Sequence, residues 1–467
     1  MVMTQLLTYL TEDLLPQPLD ARQRASLTRG LRTIVAQSLL DEAAIDALIA
    51  SLDVDLSRQL DAILHHPTFQ ALESAWRGLW LVVSRIAADQ NIRCEVLNCS
   101  KEDLLLDFDD SPELPKSGLY RLVYSAEFGP FGGRPHAAIV ANYEIFGTRD
   151  DIAMLRQCSH VGFSGSAPFL AGAAPSLLGR ESAHALAEGG RGALSEKADQ
   201  AWRDFRSGVR ARFAGLVSSR ILGRSVYEND GSTPHRFRHR ETISRPEDHL
   251  WINGVFALTA CIARSFELFR LAANITGPVG GLVEDLPTWR GPRGSFPKPA
   301  PLEAPLSASR IDELEAAGII ALAFDEAAAH AYFPSAPSCL SPSATMPADL
   351  APADRDLHRQ IPGLFVVGRL MQHLKVVHRE RIGAWHGRET LERELRAVLD
   401  GLVHRPIGAA DDHRELHTKK VLHAFDFRVE EPPPGGGYSS CSLRLTPNWS
   451  AGGRFFTLAI DSFLDCE

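Results

Sequence analysis

No motif in this 467-residue sequence marks a catalytic centre, a nucleotide cradle or a metal site, and each absence excludes a class of function. The seven cysteines, Cys94, Cys99, Cys158, Cys261, Cys339, Cys441 and Cys466, are odd in number, widely scattered and never spaced C-x-x-C. That excludes the disulfide framework of a small secreted domain and points to a reducing cytoplasm. The first fifteen residues put no Lys or Arg ahead of their apolar side chains, and no apolar run nears the roughly 18 residues of a membrane span. Neither a leader nor membrane insertion is expected. A net charge of −9 and a pI near 6.0 leave no uniformly basic surface for nucleic acid, although local basic stretches could still meet acidic partners.

The chemical motifs fail one by one. Gly189-Gly190-Arg191-Gly192 has no lysine placed for phosphate, and reads as a helix-terminal loop. Gly162-Phe163-Ser164-Gly165 lacks the last glycine of a nucleophile elbow, so Ser164 receives no catalytic role. Among 17 histidines, His65 and His66 are adjacent. On a helix such neighbours point about 100° apart, so the pair fits capping or packing before Pro67 and not chelation. His373 and His378, or His417 and His423, miss the spacing of two ligands on one helical face. No cofactor or metal is expected, and no catalytic residue is assigned.

What is present is a hydrophobic content of 45%, enough for one large or two medium domains with real cores. Leu6, Leu7, Leu10 and Leu14 make a short amphipathic helix stopped by Pro16 and Pro18. Ile45, Leu48, Ile49, Leu52, Leu56, Leu60, Ile63 and Leu64 hold one stripe over about five turns, a long helix packed on one side and ending before Pro67. From Arg93 the pattern changes: Cys94, Val96 and Asn98 alternate as a strand, and 137–141 suits a buried strand. Trp251, Val255, Leu258, Ile262, Phe266 and Phe269 share one helical side before the sharp turn of Thr276 to Gly281. The five prolines of 291–305 mark a surface connection.

A helix at 309–317, a strand at 319–324, helices at 362–381 and 388–402, and strands at 421–429, 438–445 and 454–460 follow. The predicted class is α/β: a layered mixed-sheet core with flanking helices, an N-terminal helical segment and a C-terminal β region. The expected parts are 1–60 (helical), 61–290 (α/β core), 291–415 (second part of the core) and 416–467 (C-terminal strands). One basic run, His235-Arg236-Phe237-Arg238-His239-Arg240 with Arg220, Arg224 and Arg245, could meet an anion. It also reads as a solvated loop balanced by Glu228, Glu241 and Glu247.

One long block carries a resemblance. Residues Ile63-Leu64-His65-His66-Pro67-Thr68-Phe69-Gln70-Ala71-Leu72-Glu73-Ser74-Ala75-Trp76-Arg77-Gly78-Leu79 closely resemble the segment that marks the large sheath subunits of type VI secretion systems, the TssC/VipB family. On their own terms Leu72, Trp76 and Leu79 share a helical face and Gly78 permits close approach, so the block also reads as ordinary packing. Shorter matches follow in family order, among them Asn142-Tyr143-Glu144-Ile145, Ala211-Arg212-Phe213-Ala214-Gly215-Leu216, Trp251-Ile252-Asn253-Gly254 and Arg379-Glu380-Arg381-Ile382-Gly383. Departures at Asn142, Ser219, Thr276 and Pro447-Asn448-Trp449 mark a divergent member.

The resemblance implies a contractile sheath-like fold and a structural role in the cytoplasm, not an enzyme. In that role the chain pairs with a small TssB-like subunit, and with its own copies builds a helical tube around an Hcp-like inner tube on a baseplate. A divergent paralogue with a non-contracting structural or regulatory role is the alternative. It also implies recognition of the N-terminal helix, Leu6, Leu7, Leu10 and Leu14, by a ClpV-like unfoldase; the stripe equally fits a helix packed on its own subunit. The terminal strands, with Val421, Val429, Tyr438, Leu443, Leu445, Phe456 and Leu458, suit strand exchange between subunits. They suit completion of the subunit's own sheet just as well, because edge and internal pairing share one sequence signature.

Overall fold

A computed structural model describes residues 22, 25, 29, 42–87, 90–188, 200–228, 237, 239–291, 299–327, 330–344, 352–380, 388–403, 422–430, 438–447 and 457–465. The chain forms two compact units: Met1–Ala71 with Ser225–His249, and Leu72–Arg224 with Leu250–Glu467.

In the first unit the long helix is α1, Glu42–Leu64, ending where Pro67 forbids continuation. Segment 225–249 is tied to it through polar groups. Arg240 N donates to Ser57 Oγ at 3.4 Å, Thr242 N to Asp61 Oδ2 at 3.1 Å, and His65 Nε2 lies 3.1 Å from Glu241 Oε1. Glu241 has a fully buried side chain, which is tolerable because Tyr227 N also donates to it at 3.0 Å. The one-sided packing expected of α1 is only partly realised. Leu64 is buried, but Ile49, Leu56 and Ile63 are exposed. His66 caps the next helix, its Nδ1 accepting from Thr68 N at 3.3 Å.

The boundary between the units falls inside α2, Pro67–Val83. In the second unit Gly78 is a contact that only glycine allows: a Cβ there would stand 2.3 Å from the Phe256 ring. Helix α3, Lys101–Asp110, opens with a capping box between Ser100 and Asp103. Strand β1 (Ile139–Ile145), helix α4 (Arg149–Gly165) and strand β2 (Phe169–Ala173) form a parallel β-α-β unit, and helix α5 (Gln200–Ser207) leads to β3 (Ala214–Val217), giving the order β1-β2-β3. Every side chain of β2 is buried because both faces are covered. Phe169 and Ala171 join one core, Leu170 the other.

Strands β4 (Arg220–Leu222) and β5 (Trp251–Asn253) pair antiparallel, and helix α6 runs Val255–Phe269. Trp251 therefore begins a strand and not the helix its spacing suggested. After β6 (Leu282–Val283) and helix α7 (Ala308–Ala316), β7 (Ala323–Asp325) and β8 (His330–Tyr332) complete an antiparallel sheet of order β6-β8-β7. Residues 92–100 form no strand, and Val96 and Leu97 are exposed; alternation there reflects an extended segment without a ladder. Helices α8 (Pro352–His358), α9 (Ile361–Glu380) and α10 (Arg388–Asp400) precede β9 (Leu422–Val429), β10 (Tyr438–Pro447) and β11 (Leu458–Asp465). These three strands form an antiparallel sheet of order β11-β10-β9.

Candidate assembly site

The C-terminal sheet sits on α9 with one face and turns the other outward. Leu443 and Leu445 of β10, Leu458 and Ile460 of β11, and Phe427 and Val429 of β9 join a core that includes Leu364, Phe365, Val367 and Met371 of α9. Gly363 lets α9 approach, since a Cβ there would lie 3.0 Å from Leu458. The opposite face carries Asp426, Arg428, Ser440, Ser442 and Arg444, none of them buried. A hydrophobic-in, polar-out antiparallel sheet results.

Of the residues expected at a strand-exchange interface, Val429, Leu443, Leu445 and Leu458 thus point into the subunit's own core. Tyr438 pairs with Asp465 at the end of the β10–β11 ladder. Val421 and Phe456 lie outside the described residues, as do Leu6, Leu7, Leu10 and Leu14.

The sheet is fastened to the body by charged groups that end in backbone carbonyls. Arg212, in the turn before β3, donates from Nε to His358 O at 2.7 Å and from Nη1 to Ala459 O of β11 at 2.6 Å. Complete burial pulls its guanidinium down to about 9 from the ordinary 12.5, with Asp461 opposing. Helix α9 uses three polar side chains on its other side. Gln372 Nε2 donates to His136 O at 2.7 Å and Gly165 O at 2.9 Å, Lys375 Nζ to Ser164 O at 2.7 Å, and Arg379 Nη1 to Glu127 O at 3.2 Å. Lys375 thereby caps the C-terminal end of α4, where helix carbonyls lack internal partners and the dipole favours a cation. Gly368 is required for that approach, since a Cβ would stand 2.6 Å from Ser166 O.

Two nucleophile-type side chains of this region are held inside it. Burial pushes the Cys441 thiol up to about 12, and its Sγ rests 3.8 Å from Met371 Sδ. Ser164 Oγ donates back to His160 O within α4. The arginines flanking the basic run are engaged: Arg220 with Glu303 at 2.5 Å, Arg224 with Glu73 at 3.1 Å and Arg245 with Asp248 at 3.1 Å. His235, Arg236 and Arg238 lie outside the described residues.

The marker helix α2 holds a surprise. Trp76 is 65% and Trp80 69% exposed, with Leu72 beside them at 57%. Only the other side, Gly78 and Val82, is buried. Leu72, Trp76 and Trp80 stand four residues apart, so they share one side of α2.

Comparison with known proteins decides the family. Residues 46–340 match the EvpB/VC_A0108 tail sheath N-terminal domain, and residues 350–464 match the tail sheath gpW/gp25-like domain of the same proteins. The chain belongs to the VipB family of tail sheath proteins. The type VI secretion system sheath protein TssC1 of Pseudomonas aeruginosa is 28% identical over 96% of this chain and 93% of its own length. Two solved structures are also similar to this chain. The Listeria innocua sheath tail protein shares 10% identity with a TM-score of 0.37, over 75% of this chain and 60% of that one. A chain of the anti-feeding prophage baseplate shares 9% at a TM-score of 0.31, with 80% of each covered. The chain is thus a VipB-type sheath subunit of mixed α/β build, and the long block at residues 63–79 falls within the matched N-terminal domain.

Proposed function

We propose that this VipB-type chain is the large subunit of a contractile type VI secretion sheath. It works in the cytoplasm by pairing with a small TssB-like subunit and stacking into a helical tube around an Hcp-like inner tube on a baseplate. Contraction of that tube drives secretion, and a ClpV-like unfoldase recycles the contracted form through the N-terminal helix. The supporting observation is the pair of consecutive tail sheath matches, which together run from residue 46 to residue 464. The role is structural, with free energy held in contacts between chains.

The architecture suits that work. A sheath must let subunits rotate while staying linked, and backbone pairing between neighbours does this because ladder hydrogen bonds hold while loops flex. The C-terminal sheet, fixed to the body through Arg212 and α9, offers a firm platform for such pairing. The apolar residues of its strands serve the core, so exchange involves the backbone at the sheet's edge.

Pelleting tests the reading. Co-expressed with a small sheath subunit, the chain is expected to sediment as a large stoichiometric complex; persistence as a monomer beside an unbound small subunit would refute it. A non-contracting paralogue would form complexes whose length never changes.

A further inference from the structure

Cys94, Val96 and Asn98 alternate as a strand does, yet residues 93–98 belong to no sheet. Among the described residues nothing bonds to their backbone N–H or C=O groups. The segment is extended all the same. Arg93 Nε lies 2.9 Å from Glu95 Oε1, and residues two apart share a side in an extended chain. Neighbouring side chains then point opposite ways, and Val96 at 70% and Leu97 at 59% are both exposed. Neither side of the segment is covered.

Both of its ends are tied down. Ile92 N donates to Gln90 O at 2.8 Å, and Gln90 Oε1 accepts from Arg270 Nη1 at 2.7 Å. Beyond the segment, Cys99 O accepts from the Tyr143 hydroxyl at 2.7 Å, and Lys101 Nζ donates to Glu144 O at 2.9 Å. Tyr143 and Glu144 belong to β1, the terminal strand of the β1-β2-β3 sheet. Residues 93–98 are thus held extended between fixed ends, with their pairing groups open. The span matches the usual length of a strand, and a chain already extended loses little further freedom when it pairs. Unpaired backbone flanked by exposed apolar side chains is a template for another chain.

We infer that residues 93–98 are a docking strand, and that a strand of the small sheath subunit pairs with them. The inference rests on the reading above that this chain pairs with such a subunit. Symmetry argues for a different polypeptide as the occupant. If the segments of two copies paired with each other, the contact would be isologous and would close a dimer. A helical tube repeats one head-to-tail relation from copy to copy, and a self-closing pair breaks that repeat. The exposed side chains set the partner's pattern. Val96 on one side and Leu97 on the other call for apolar neighbours on both sides of the incoming strand, and the Arg93–Glu95 pair calls for polar ones at one end. The incoming strand is therefore a continuous apolar run with a polar end.

Amide hydrogen exchange reads the pairing. In the isolated subunit the amides of 94–98 are expected to exchange close to the rate of an unfolded peptide, and about tenfold or more slower in the complex with the small subunit. A complex in which they exchange as fast as in the isolated chain overturns the inference and leaves the reading beneath it standing. Failure of the unaltered chain to form any complex sinks that reading itself. Cys94, an exposed thiol on the segment, gives a second probe. Its alkylation should slow on assembly with the small subunit and stay constant in the isolated chain at every concentration; slowing as the isolated chain is concentrated would put a second copy in the partner's place.

Proline separates pairing from mere burial. Val96→Pro and Leu97→Pro each remove one donor, and because neighbouring N–H groups point to opposite edges, one of the two lies on the partner's side. At least one of these variants is expected to keep the isolated subunit's melting curve and lose co-purification with the small subunit, while Val96→Thr and Leu97→Thr retain it. Normal assembly of both proline variants, each folded, would overturn the proposal.

Discussion

Lys375 Nζ donates to the carbonyl of Ser164 at 2.7 Å from a side chain that is almost wholly buried. The ammonium also lies 5.2 Å from the Tyr124 ring centroid and 5.6 Å from that of Phe128. A buried lysine is sustained here by a helix end and two aromatic faces. Because α9 carries it, the same group that completes α4 positions the helix beneath the C-terminal sheet.

Lys375→Met is therefore expected to lower unfolding stability by about 1–3 kcal/mol, since it strands a buried carbonyl while keeping most of the packing. A urea titration reads this as a lower midpoint at unchanged slope. An unchanged midpoint would show that the ammonium contributes nothing net.

The two sides of α2 should respond in opposite ways. Gly78→Ala drives a methyl into the Phe256 ring and is expected to cost about 1–3 kcal/mol. Trp76→Ser with Trp80→Ser, on the exposed side, should change stability by no more than about 0.5 kcal/mol per site. Thermal melts of the isolated variants check both.

Acid should weaken the fold through His358. Burial first, and Arg212 second, lower its pKa from 6.5 to about 3. Between those values the unfolded chain binds a proton that the folded chain refuses. Stability is thus fully present above about pH 6.5 and is lost as pH falls toward 3. His160, lowered to about 4 by burial and by Arg210 and Arg156, adds to the same limb. His358→Gln is expected to flatten the decline of stability between pH 6.5 and 4; an identical slope would exclude His358 as its source.

Removal of residues 2–15 is expected to abolish binding of a ClpV-like unfoldase and leave assembly with the small subunit intact. Fluorescence anisotropy against the unfoldase's N-terminal domain measures it, and undiminished binding would end the recycling proposal for this chain.

Much of the local structure was legible. Helix α9 spans Ile361–Glu380 where periodicity predicted 362–381, and α10 and β9 fall within two residues of expectation. Non-local facts were not legible. Nothing in the sequence announces that 225–249 returns to α1, because the link is made by single polar groups such as Glu241 and Asp61 and not by a periodic stripe. Trp251 fitted a helical spacing, yet Asn253 Oδ1 accepts from Val255 N at 3.0 Å and the helix starts only there. The wetness of Trp76 was hidden as well, since one helical stripe describes a core face and a docking face equally.

The central claim is that this chain acts by assembling into a tube. Negative-stain microscopy of the chain co-expressed with its small sheath subunit tests it most directly. Long hollow cylinders containing both chains are the expected result, and a field of uniform small particles in which the two chains never associate would contradict the account.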